Sequence, residues 1–174
     1  MKHEEKKDGF TLVEILTYIF LLSIIVSVAS SFFIWMLKTA ASAKAMRETA
    51  DNAREAISLM AREIRAAESV YAPTSVFSVH PGQLSLETKN YLPSDETASY
   101  IDFYLCDKRI CLKKESQDPL ALTSENIEID NLIFDVVGTI SVQISLGARY
   151  KNPSDTPELD SYFTATTTVS VRNY

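Results

Sequence analysis

Polar and apolar positions follow three different rhythms along this chain. Residues 15–37 are apolar or small throughout, with no charge, Pro or Gly. As a helix rising about 1.5 Å per residue, that run covers roughly 35 Å, more than a bilayer core of about 30 Å. A helix buried in a soluble core is the alternative, but a chain of 174 residues has little interior in which to hide one. Past the run, Met46, Ala50, Ala53, Ile57, Met60, Ile64, Ala67 and Tyr71 recur at alternating steps of four and three, which is one face of a helix. Arg47, Glu48, Asp51, Arg54, Glu55, Arg62 and Arg65 fall mostly off that stripe. The stripe suits either a coiled-coil seam or a face laid on the protein's own sheet, and its small alanines favour the sheet. Every Pro lies after residue 72, and no Gly occurs between Phe10 and Pro81. The spacing therefore predicts one helix of about 60 residues, roughly 90 Å long, stopped at Ala72-Pro73.

Beyond Pro73 the period falls to two. Ile101, Phe103 and Leu105 alternate with Tyr100, Asp102 and Tyr104, and Ile140, Val142, Ile144 and Leu146 alternate with Ser141, Gln143 and Ser145. A threonine-rich last strand alternates through Phe163, Ala165, Thr167, Val169 and Val171. Residues 76–80, 83–88, 109–114 and 127–137 are shorter candidates. The expected fold is α+β: a long N-terminal helix, transmembrane in its first half and amphipathic in its second, packed on an antiparallel sheet. Asn152, Pro153, Ser154, Asp155 and Pro157 predict a long loop before the last strand.

Charge sharpens this division. The net charge is −6, and residues 71–174 carry 8 basic and 14 acidic side chains. An acidic head is a poor partner for phosphates, so no nucleic acid is expected. Lys2, Lys6 and Lys7 precede the apolar run, which favours a cytoplasmic N-terminus, although Lys38 and Lys44 follow it. Trp35, near the outer end of the run, reads as an interface anchor.

An export signal is cut after its apolar core. Here the small residue in a cleavable context, Gly9, comes before the core, so the helix would be retained. Gly9-Phe10-Thr11-Leu12-Val13-Glu14 resembles the prepilin motif of type IV pilins and type II secretion pseudopilins. Asn52-Ala53-Arg54-Glu55-Ala56-Ile57 and Met60-Ala61-Arg62-Glu63-Ile64-Arg65 resemble the helix of W-type minor pilins and J-type minor pseudopilins. The terminal Val169-Ser170-Val171-Arg172 extends the likeness into the head. The charge-balanced stub and the lack of a proline in the run depart from the family's major pilins.

The resemblance implies a non-enzymatic filament subunit. A prepilin peptidase would cut after Gly9 and methylate the new terminus at Phe10. Residues 1–9 would be a cytoplasmic leader, 10–37 the transmembrane and assembly helix, 38–72 an amphipathic half and 73–174 a β-rich head. The chain would sit in the cytoplasmic membrane as a single pass with its head outside, then enter an extracytoplasmic filament. Its partners would be the peptidase, other pilin or pseudopilin subunits, an inner-membrane assembly platform and lipid. An uncleaved single-pass anchor displaying a binding domain is the rival.

Glu14 is the one acid at the mouth of the apolar run. Thr11 and Glu14 fit a capping box, Thr-x-x-Glu. By the resemblance, Glu14 is also the assembly residue. A carboxylate in hydrocarbon costs about 2.5–3.5 kcal/mol and seeks a partner. The amine released on a neighbour's Phe10 would be one, and the pair would set axial register. The two roles are compatible.

Other chemistry is thin. With Lys108-Arg109 as a two-residue turn, Cys106 and Cys111 stand directly opposite and Leu105 faces Leu112, so a cross-strand disulfide is open, as are two free thiols. Two cysteines and a distant His80 make a poor zinc site, and no cofactor is expected. Asn152, Asp155, Glu158 and Asp160 resemble the calcium loop of some pseudopilins but match no defined spacing, and a solvated loop is the simpler reading. With two histidines and no phosphate-binding glycine loop, no catalytic residues are marked out.

Overall fold

A computed structural model describes residues 9–90, 97–138 and 140–172. One helix, α1 (Leu12–Ala66), precedes eight strands: β1 (Ser69–Val70), β2 (Leu84–Thr88), β3 (Ser99–Cys106), β4 (Arg109–Lys114), β5 (Leu120–Ala121), β6 (Ile127–Val137), β7 (Ser141–Tyr150) and β8 (Tyr162–Ser170). The fold is α+β, with a long N-terminal helix whose second half packs on antiparallel sheets. The chain divides into two compact units, Met1–Ala40 and Ala41–Tyr174.

In the first unit every described residue of the helix except Glu14 is exposed. Its most apolar stretch has a mean hydropathy of 2.4 and is 0% buried. That length and composition suffice to cross a membrane. Three hydroxyls in or just past the run turn back on their own helix: Ser23 Oγ donates to Phe20 O at 2.7 Å, Ser31 Oγ to Ser27 O at 2.9 Å and Thr39 Oγ1 to Trp35 O at 3.0 Å.

In the second unit the helix meets two sheets. One is five-stranded in the order β1-β2-β3-β4-β5, and the other three-stranded in the order β6-β7-β8, all antiparallel. The sequence suggested a single sheet; the chain instead closes one core between the helix and two. Ala53, Ala56, Met60, Ala61 and Ile64 of α1 join Leu86, Phe103, Leu132, Phe134, Ile144 and Val169 in that core. Alanines on the helix let its backbone lie close to the sheets, and Met60 and Ile64 fill the space between.

Several expectations shift by a few residues. The helix ends at Ala66, not Ala72. Glu68 N–H bonds Glu87 O at 2.9 Å and Tyr71 N–H bonds Ser85 O at 2.9 Å, so the edge of β2 captures the chain around Ser69–Val70 as strand before Pro73 is reached. No local breaker marks this stop; a tertiary pairing outbids the helix. Tyr71 leaves the stripe and packs on Tyr100, ring centroids 4.9 Å apart. Met46 is exposed, while Ala45, Thr49 and Glu63, 5% exposed, are buried. Glu63 lies 3.4 Å from Arg62 Nη2. Residues 76–80 form no strand and contribute one bridge, Val76 to Gln83. Ile140 is exposed just before β7, and the two-residue strands β1 and β5 carry too little pattern to read.

Named ties join helix, loops and sheets. Asn52 Nδ2 donates to Glu48 O at 2.9 Å while its Oδ1 accepts Ser124 N–H at 2.9 Å. Thr49 Oγ1 meets Ser161 Oγ at 2.8 Å. On the solvent side of the second sheet, Glu128 accepts two bonds from Arg149 at 2.9 and 3.2 Å and one from Lys108 at 3.4 Å. Burial pushes the Glu128 carboxyl up, but the Arg149 hydrogen bonds and the Lys108 charge outweigh it and hold it below its ordinary value.

Candidate functional site

The N-terminus of α1 is built by Thr11. Its carbonyl accepts Glu14 N–H at 3.1 Å and Ile15 N–H at 3.2 Å, and its Oγ1 accepts Glu14 N–H at 3.3 Å. Thr11 is therefore the N-cap, and the first half of the capping box is present. The second half takes another form: the described partner of the Glu14 carboxylate is Tyr18, whose hydroxyl donates to Oε1 at 3.3 Å. One turn apart, the two side chains lie on the same strip of helix surface. Thr17 Oγ1 lies 2.8 Å from Glu14 O and 3.0 Å from Val13 O. A Tyr four residues after Glu14, inside the apolar run, was the signal in the sequence for this contact.

Glu14 is half-buried. One of its oxygens holds a single hydroxyl, so the carboxylate retains capacity to accept further donors. Around it Phe10, Leu12, Ile15, Leu16 and Ile19 line an open apolar surface, with Phe10 73% exposed.

Gly9 stands just before this turn. A Cβ placed on it would meet nothing within 4 Å, and its backbone is outside the left-handed region. No packing or dihedral reason within the described chain demands glycine there. Gly147 is the contrast: a Cβ there would come within 2.6 Å of the Tyr162 hydroxyl, which lies across it.

Cys106 and Cys111 are joined in a disulfide, with Cα atoms 5.9 Å apart. The turn differs from expectation. Asp107 and Lys108, both at positive φ (47° and 59°), form it, so Cys106 pairs with Arg109 and Cys111 with Tyr104. Leu105 pairs with Ile110, not Leu112. The cysteines are thus diagonal neighbours on one face. Two adjacent left-handed residues suit the mirror-image hairpin turn, and Asp tolerates that region better than most side chains.

His80 sits in a turn, where its Nδ1 accepts Leu132 N–H at 3.0 Å. In the 152–160 loop the Asn152 amide is committed to Thr156, accepting its N–H at 3.0 Å and donating to its carbonyl at 2.8 Å. Among the described residues no group of three or more His, Cys, Asp or Glu is placed to hold a metal ion.

No family model matches the chain, and no curated protein or solved structure matches it either.

Proposed function

We propose that this chain is a non-enzymatic structural subunit of a type IV pilus or type II secretion filament, a minor pilin or pseudopilin. The observation that carries the reading is the pairing of two features at one helix end. An apolar run that stays exposed among the described residues begins beside an acid, and a glycine that no described contact or backbone angle requires stands five residues before that acid. Cleavage after Gly9 would free an amine on Phe10, and the peptidase would methylate it. Glu14, with one hydroxyl partner, has room to accept that amine from a neighbouring subunit, and Thr11 keeps the turn that presents it. The leader would lie in the cytoplasm and the head outside, contacting other subunits, with the assembly platform receiving the helix in the membrane.

Intact-mass measurement on the membrane protein tests this. The expected product begins at Phe10 and carries one added methyl; a full-length chain sinks the proposal in favour of an uncleaved anchor. Gly9→Val, which nothing in the fold resists, should leave the chain uncut. Glu14→Ala should be cut normally and fail to enter filaments. Normal incorporation would reduce Glu14 to a partner of its own helix.

A further inference from the structure

Among the described residues, hydrogen bonds tie the rest of the head to the outer edge of β6 from two directions. Along the middle of β6 they come from the segment leading into β2. Gly82 N–H bonds Leu132 O at 2.8 Å, Ser78 N–H bonds Phe134 O at 2.9 Å and Leu132 N–H bonds His80 Nδ1 at 3.0 Å. Gly82 is required there, since a Cβ would come within 3.1 Å of Leu132 O. Near the start of β6 the tie comes from the β3–β4 turn. Ile129 N–H bonds Lys108 O at 2.8 Å, and Lys108 Nζ lies 3.4 Å from Glu128 Oε2.

This second tie rests on a strained turn. Asp107 and Lys108 are both at positive φ, 47° and 59°. A two-residue hairpin connection demands that geometry and normally places glycine second, because a Cβ there crowds the backbone. Lys108 carries the Cβ. Its ammonium does little to hold the turn, being 63% exposed in a surface ion pair. The register of β3 on β4 is what leaves only two residues for the connection, with Cys106 opposite Arg109 and Tyr104 opposite Cys111. The Cys106–Cys111 bridge, with Cα atoms 5.9 Å apart, locks that register across the turn. Without it the strands are free to slip to a longer, unstrained connection, and the Lys108 carbonyl leaves Ile129.

We propose that the Cys106–Cys111 disulfide is a redox clasp between the two sheets. Closed, it holds the left-handed Asp107-Lys108 turn that presents the Lys108 carbonyl to Ile129. Open, it lets the turn relax and uncovers the start of the β6 edge, while the Gly82 tie stays in place. Closing the clasp takes two electrons and two protons from the thiols. They pass to a second disulfide, which leaves as a dithiol. A head among reducing thiols is therefore unclasped, and one in an oxidising compartment is clasped. The device lies within the second unit and holds whether or not the chain is cut at Gly9 or enters a filament.

Residue-resolved hydrogen exchange on the full chain in detergent micelles, with and without dithiothreitol, tests this. Ile129 and Gly82 amides are the pair to compare, since both bond across the β6 edge but only Ile129 uses the turn. Reduction should speed Ile129 at least about tenfold more than Gly82. In Lys108→Gly the left-handed backbone is unstrained, so Ile129 should keep pace with Gly82 in both redox forms. Equal acceleration of the two amides in the unsubstituted chain overturns the clasp, since the bridge would then stabilise the head only as a whole. Selective acceleration of Ile129 in reduced Lys108→Gly overturns it as well, since strain at Lys108 would not be what the bridge restrains. If the unsubstituted chain unfolds on reduction, Lys108→Gly decides by the same comparison.

Discussion

The two halves of α1 are the same secondary structure solving opposite problems. Residues 12–40 carry large side chains, and in the described structure those side chains stay exposed: Leu21 is 54% exposed and Phe33 55%. Residues 41–66 carry smaller ones and bury them, with Ala53 and Met60 at 0%. Size and polarity explain the contrast. Bulky residues all round a helix suit a fluid hydrocarbon surface or a ring of neighbours. A stripe of alanines with charges behind it suits close approach to one rigid partner. Helix content is thus shared, while the work of burial is divided.

The contrast can be broken by substitution. Met60→Ala should cost the head about 2–5 kcal/mol, since the cavity forms between helix and sheets. Leu21→Ala should leave the head's urea midpoint where it was. Equal losses in the two variants would mean that the first half also stabilises the head. Reducing the Cys106–Cys111 bridge, which closes a separation of five residues, should lower head stability by about 2 kcal/mol in chain-entropy terms. An unchanged midpoint under reductant would mean that the hairpin turn alone holds β3 and β4. A smaller effect is expected at Asn52: replacement by Ala strands the Ser124 N–H and should cost about 1–2 kcal/mol. It should leave the proposed cut after Gly9 unaffected, because the described bonds of Asn52 lie in the second unit.

The smallest expected effect is a pH limb. Glu128 is held below the ordinary carboxylate value of 4.5, chiefly by its Arg149 bonds against the opposing pull of burial. The folded state then binds fewer protons than the unfolded one. The contribution is complete above that ordinary value and fades as pH falls through the lowered one. Glu128→Gln should lower the neutral plateau slightly and flatten the acid limb of the head's stability below about pH 4.5, so that the two chains converge at low pH. A limb of unchanged steepness would assign it to other carboxylates.

Much of the architecture was legible because it rests on periodicity. The four-three spacing of Ala53, Ile57, Met60 and Ile64 required a helix with a face to bury, and the alternation through Ile101 and Phe103, or Val142 and Ile144, required half-buried strands. Strands 109–114 and 127–137 match to the residue. The N-terminal turn was legible because Thr11 and Glu14 are three residues apart and caps are local. Tyr18 as the partner of Glu14 was equally local and was missed.

What escaped the sequence depended on partners distant along the chain. The helix stop at Ala66 was decided by the edge of β2, and no residue near Ala66 announces it. The division into two sheets followed from how the 76–83 segment, through Ser78, His80 and Gly82, closes over β6. The turn moved by one residue, and the partner of Cys106 by two, because Asp107 and Lys108 together accept left-handed backbone. The sequence by itself determined which stretches are helical, which faces are apolar and where a carboxylate sits at the mouth of an apolar run, since each follows from spacing within a few residues. Only the tertiary structure decided where elements end and which strand edges are covered, since a backbone hydrogen bond between strands has no signature until both strands are in place.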